Sequence, residues 1–180
     1  MQQAYVIDSL TSVKSWILPL LKTVAGSLFI ALCAQISIPL PFTPVPLTFQ
    51  TLAILFLGIT LGSKQAAYCT ILYLIEILSG LPFLAGGISN PLAFIGPRAG
   101  YLFAMPILAY IAGMTSATKS VGYNLIILGF ASIIMLGMGT IGLANFVGWK
   151  YAFFMGFYPF LAGEALKVLI VTFYLNKRSN

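Results

Sequence analysis

Four charged side chains stand where charge is least expected, and they are the first candidates for chemistry. Glu164 and Lys167 lie three apart inside the apolar run Tyr151–Leu175. On a helix this spacing puts both on one face, close enough to pair. Two readings follow. The pair neutralises itself and only packs, or it is the polar wall of a buried site. In the second case the carboxylate accepts from ligand N–H groups and the ammonium meets a ligand carboxylate or carbonyl. Glu76 lies near the end of another apolar run, where it can serve packing or reach the adjoining loop. Arg98 sits in the stretch GPRAGY. Gly96 and Pro97 shape the backbone before it, and Gly100 permits an unusual turn after it. An arginine held this way is a good anion clamp; an interfacial arginine serving no site is the plainer alternative. Gln50, Ser89 and Asn90 are uncharged donors and acceptors near the same ends of the apolar runs. Tyr101, with Phe42, Phe83 and Tyr158, offers aromatic surface to an apolar ligand.

Other chemistries find little support. The chain has no His, and Cys33 and Cys69 are far from any ligand-pair spacing, so no thiolate or imidazole metal site is expected. No GxxxxGK[ST] phosphate loop occurs, so ATP hydrolysis by that route is not expected of this chain. No Ser–base pairing suggests a hydrolase, and no cofactor is implied. The net charge of +6 comes from single, scattered residues, which argues against a nucleic-acid partner.

The elements that must position these residues are those of a membrane protein. Of 180 residues, 60% are apolar and 7% are charged, against about 25% charged in a soluble domain. The apolar surplus has to face lipid. Residues 1–15 are a mixed polar lead-in without the features of a cleavable signal peptide. The apolar runs predict spans at 16–38, 47–62, 65–79, 99–115, 121–143 and 151–175. The expected fold is therefore one domain, 1–180: an all-α integral membrane protein, a bundle of six transmembrane helices. Strand alternation is absent, so helices, which satisfy their own backbone in lipid, are the default. Pro39, Pro41, Pro44 and Pro46 end the first span in an extended turn. Ser27 and Ala31, four apart in that span, form a small-residue face that admits another helix, either of this chain or of a partner.

Residues 80–98, between the third and fourth spans, make a structured external loop rich in Gly and Pro. It is longer than helix connections usually are and suits the lid of a small-molecule site. With the N-terminus inside, cytoplasmic segments hold Lys14, Lys22, Lys64, Lys119, Lys177 and Arg178, and external ones only Arg98 and Lys150. This bias puts both termini in the cytoplasm. Neither an internal inverted repeat nor an energy-converting motif is visible, which suggests a binding subunit that borrows its engine.

Four segments carry a resemblance. PFTPVPLTFQTLAILFLGITLG (Pro41–Gly62), LPFLAGG (Leu81–Gly87), GPRAGYLF (Gly96–Phe103) and PFLAGEALK (Pro159–Lys167) are similar, in this order, to the BioY family. These are the biotin-specific S components of energy-coupling factor (ECF) vitamin transporters. The resemblance implies a prokaryotic cell-membrane protein that captures biotin from outside. It also implies separate partners: a transmembrane coupling protein and two ABC ATPase subunits. It implies biotin contacts from Glu164, Lys167, Asn90, Arg98, Gln50, Tyr101 and Ser89, and a coupling-protein contact at Ser27 and Ala31, where the family commonly has Ala-xxx-Ala. Two further departures stand out. Arg98 replaces the Thr of a common GPTGGY, so the anion-clamp role is read from the residue alone. Glu164 replaces a common Asp, which keeps the carboxylate. A self-sufficient vitamin importer and a small structural or assembly subunit of the membrane are the alternatives.

Overall fold

The computed structural model describes residues 2–177, with side chains from residue 16 onward. The side chains of Asp8 and Lys14, and Arg178 altogether, lie outside the described residues, so their part in the charge bias does too. The chain is almost wholly helical: α1 (Gln2–Gln35), α2 (Gln50–Leu61), α3 (Ser63–Leu78), α4 (Ala99–Ala112), α5 (Val121–Val147) and α6 (Trp149–Lys177). Three stretches are long and apolar enough to cross a membrane, namely Trp16–Gln35, Val121–Val147 and Trp149–Lys177, with mean hydropathy of 2.0, 2.2 and 1.5. Their outward faces bear bare apolar side chains, such as Leu32, Ile126, Phe130 and Phe173. The shorter α2 and α4 are apolar too, but bury much of their length, including Ile54, Leu55, Leu108 and Ala109. Short helices persist there because neighbouring helices cover much of their surface.

Several boundaries differ from the sequence expectation. The lead-in is helical from Gln2, and α1 stops at Gln35, not at residue 38. Beyond it, Ser37–Ile38 (β1) and Leu47–Thr48 (β2) pair antiparallel, with Ser37 opposite Thr48 and Ile38 opposite Leu47. The four prolines lie between these strands, where no ladder donor is needed. The turn between α2 and α3 is a single residue, Gly62, whose φ of +80° favours a residue without Cβ. α5 opens on a side-chain cap, with Ser120 Oγ accepting from the Tyr123 amide at 3.2 Å. It runs on to Val147, four residues past the expected end. α6 contains a π turn at Phe153–Phe157, before the regular helix Tyr158–Lys177.

The close contact of α4 and α5 sets the centre of the bundle. Gly100 lies against the Met138 carbonyl and the Cα atoms of Gly139 and Gly142, and a Cβ at Gly100 would overlap that backbone. The ring of Tyr101 lies over Gly139 in the same way. Residues 79–98 connect α3 to α4 as a folded segment. Leu84 and Ile88 form a bridge, Pro91–Phe94 makes a 3-10 turn, and Leu84 and Ala93 are buried. Two side chains from the helices hold it: Tyr73 donates its hydroxyl proton to the Phe83 carbonyl at 2.9 Å, and Gln35 donates to that of Leu84 at 3.3 Å.

Candidate ligand-binding site

A cavity of about 620 Å³, counted with its mouth, lies where α2, α4, α5 and α6 converge under the strand β2 and the segment 79–98. Most of its wall is apolar: Val45, Leu84, Leu102, Met105, Leu136 and Phe160 all contribute. The polar cluster is built from two helices. Glu164 and Lys167 share one face of α6, as their spacing requires, and pair at 2.7 Å. Thr51, from the first turn of α2, completes the cluster. Lys167 Nζ donates to Thr51 Oγ1 at 2.6 Å, and the Thr51 hydroxyl donates to Glu164 Oε1 at 2.7 Å. All three residues are buried, with 4–7% of their surface exposed.

Such a pair is expensive to bury, and it survives where every charge is hydrogen-bonded. The cluster leaves capacity over. Among the described residues Glu164 Oε2 has only a long 3.4 Å contact, from Ser132 Oγ, and an ammonium has three protons of which two are spent there. A carboxylate oxygen and an ammonium proton are therefore available side by side in an apolar pocket. That arrangement suits a neutral, hydrogen-bonding ligand head with both donors and acceptors.

Of the sequence candidates, the structure brings Gln50, Arg98, Tyr101, Glu164 and Lys167 to this one cavity. Gln50 opens α2 beside Thr51 and is itself buried. Arg98 sits at the mouth. Its Nε donates to the Pro44 carbonyl at 2.7 Å, linking the two non-helical segments above the cavity. Burial pushes its pKa down from the ordinary value, but an arginine keeps its proton. Tyr101 contributes its ring to the wall, while its hydroxyl donates to the Gly156 carbonyl in the π turn at 2.6 Å.

Ser89 and Asn90 lie elsewhere. Both are exposed on the segment 79–98 and neither lines the cavity; Ser89 Oγ instead donates to the Gly80 carbonyl, and Asn90 precedes the 3-10 turn. Phe42 and Tyr158 are exposed, and Phe83 packs on the core, so none of the three reaches the cavity. Ser27 and Ala31 are 0% and 5% exposed, and Ser27 Oγ donates to Glu76 Oε1 at 3.0 Å. Ser27, on the small face of α1, thus meets α3 within the chain. Glu76 serves that contact and does not line the cavity. Sequence reasoning missed Thr51, Ser132 and Tyr73. They are neutral residues of common types, and only the fold shows what they face.

Fold and site together define a helical membrane protein with an apolar pocket around a charged, hydrogen-bonded cluster. Among the described residues no group of three or more His, Cys, Asp or Glu is gathered to hold a metal. The same fold is found in the crystal structure of an S-component for biotin from an ECF-type ABC transporter, with a TM-score of 0.81 over 92% of each chain at 23% identity. The model of the BioY family matches residues 7–179, and the chain belongs to that family. Its relatives include a probable biotin transporter BioY of Pyrococcus horikoshii, 35% identical over 78% of this chain and 85% of the relative. Another is the biotin transporter BioY2 of Lactococcus lactis, 30% identical over 83% of each.

Proposed function

We propose that this chain is the biotin-binding S component of an ECF-type vitamin importer. It captures biotin at the external face of a prokaryotic membrane and delivers it with a separate ATP-driven module. That module comprises a transmembrane coupling protein and two ATPase subunits; this chain is its non-catalytic specificity subunit. All of α1 to α6 span the membrane, both termini are cytoplasmic, and residues 79–98 close the cavity from outside. The short α2 is about 18 Å long at 1.5 Å per residue, less than the roughly 30 Å hydrocarbon core. Its span is continued by the half-buried strand β2, whose backbone pairs with β1.

The observation that carries the reading is the Thr51–Glu164–Lys167 cluster inside an apolar cavity, in a chain of the BioY family. Biotin has matching parts. Its ureido ring has two N–H donors and a carbonyl, its thiophane ring is apolar, and its valerate ends in a carboxylate. Glu164 accepts from the ureido N–H groups, and Lys167 or Arg98 meets a carbonyl or the carboxylate.

The test is to titrate the purified chain, without any other subunit, with biotin and with unrelated vitamins. Saturable binding of biotin alone is expected. Binding of another vitamin in preference to biotin, or of none, refutes the assignment. Uptake assays in cells with and without a coupling module test the partner claim, and uptake that persists without any module contradicts it.

A further inference from the structure

We infer that Tyr73, which does not line the cavity, fixes the Gln50 amide so that its carbonyl oxygen faces the ligand as an acceptor. The inference deepens the biotin reading and rests on it.

Tyr73 lies on α3 and is wholly buried. Its hydroxyl has two polar neighbours, the Phe83 carbonyl at 2.9 Å and the end of the Gln50 side chain at 2.6 Å. A carbonyl can only accept, so the single phenolic proton goes to Phe83. The phenolic oxygen is then an acceptor, and only the NH2 of Gln50 can face it. Met105 agrees: its thioether sulfur, which can only accept, lies 3.7 Å from Gln50 Nε2. The amide orientation is thereby set by two acceptors on the same side.

The consequence falls on Gln50 Oε1. Among the described residues its only hydrogen-bond neighbour is the Thr48 hydroxyl at 3.5 Å, the limit of a useful bond. Gln50 is 5% exposed and lines the cavity. A buried amide oxygen left this poorly paired favours a ligand that brings a donor. On the biotin reading that donor is a ureido N–H. The opposite flip, with Gln50 donating to the ureido carbonyl, would set Oε1 against the tyrosine. It would claim the phenolic proton and leave the Phe83 carbonyl unpaired. Since Phe83 belongs to the segment over the cavity, the proton that docks this segment also selects the polarity of the wall beneath it.

The experiment is competition against labelled biotin on the purified full chain. The competitors are biotin and its two cyclic-carbamate analogues, each with one ureido N–H exchanged for oxygen. The affinity ratio does not depend on the fraction of folded protein. The wild-type chain is expected to discriminate against at least one analogue. Gln50→Met and Tyr73→Phe are each expected to reduce that discrimination by about tenfold, the worth of one buried hydrogen bond. Tyr73→Phe added to Gln50→Met should change it no further. A purely structural tyrosine would weaken biotin and analogue equally, and an unchanged ratio in Tyr73→Phe overturns the inference. If that variant does not fold, Gln50→Met decides alone: full discrimination there overturns it as well. A wild-type chain that binds no biotin refutes the biotin reading itself, a different and distinguishable failure.

Discussion

Lys167 donates to both Thr51 and Glu164, so its removal strands a carboxylate in an apolar wall. Breaking a buried pair by deleting one partner costs about 3–5 kcal/mol, whereas deleting both costs far less. Lys167→Met should therefore lower the melting temperature of the detergent-solubilised chain markedly, and Glu164→Gln added to it should restore part of the loss. A double variant no more stable than the single would contradict a coupled pair. At this scale the sequence was informative about charge and silent about its neutral partners. Glu164 and Lys167 were legible because a three-residue interval fixes their geometry on any helix. Thr51 was not, because 113 positions separate it from Glu164 and only the packing of α2 against α6 brings them together. Ser89 and Asn90 illustrate the converse. Polar residues of a loop can face either way, and these face out.

At the scale of elements, the tightest fit is α4 on α5. A Cβ at Gly139 would enter the ring of Tyr101, a cavity wall whose hydroxyl is committed to Gly156. Gly139→Ala should destabilise by about 1–3 kcal/mol, as overpacking does, and should weaken ligand binding by displacing the tyrosine. Gly129 and Gly137, on the same helix, meet nothing within 4 Å of a built Cβ. Their alanine variants should be neutral or slightly stabilising, within about 1 kcal/mol. Thermal melting of the three variants checks the contrast, and equal effects would contradict this packing.

The apolar runs located the helices well because lipid-facing and core-facing residues are both apolar. For the same reason they could not show where a helix stops being regular. The π turn at Phe153–Phe157 lies in a run with no break in hydropathy, and its signal is the Tyr101 hydroxyl from another helix. The β1–β2 pair was hidden by its prolines, which rightly indicated a turn but not the two-residue ladder that flanks it.

The molecule as a whole combines an apolar exterior with a charged cluster inside. The proposed orientation rests on scattered basic residues, with Lys119 on the connection between α4 and α5 and Lys64 in the first turn of α3. In a background lacking Cys33 and Cys69, Ser89→Cys should react with a membrane-impermeant maleimide on intact cells. Lys119→Cys should react only after permeabilisation. The reverse pattern would invert the protein and put the cavity mouth on the wrong side for capture.

The claim most open to direct test is that the buried carboxylate of α6 receives the ligand. Biotin affinity should be measured on the purified wild-type chain and on Glu164→Gln side by side, with melting curves to establish that both are folded. Loss of a charged acceptor in a buried site costs about 2–4 kcal/mol, so the variant should bind roughly 30- to 1,000-fold more weakly. Equal affinity in a correctly folded Glu164→Gln chain would contradict the account.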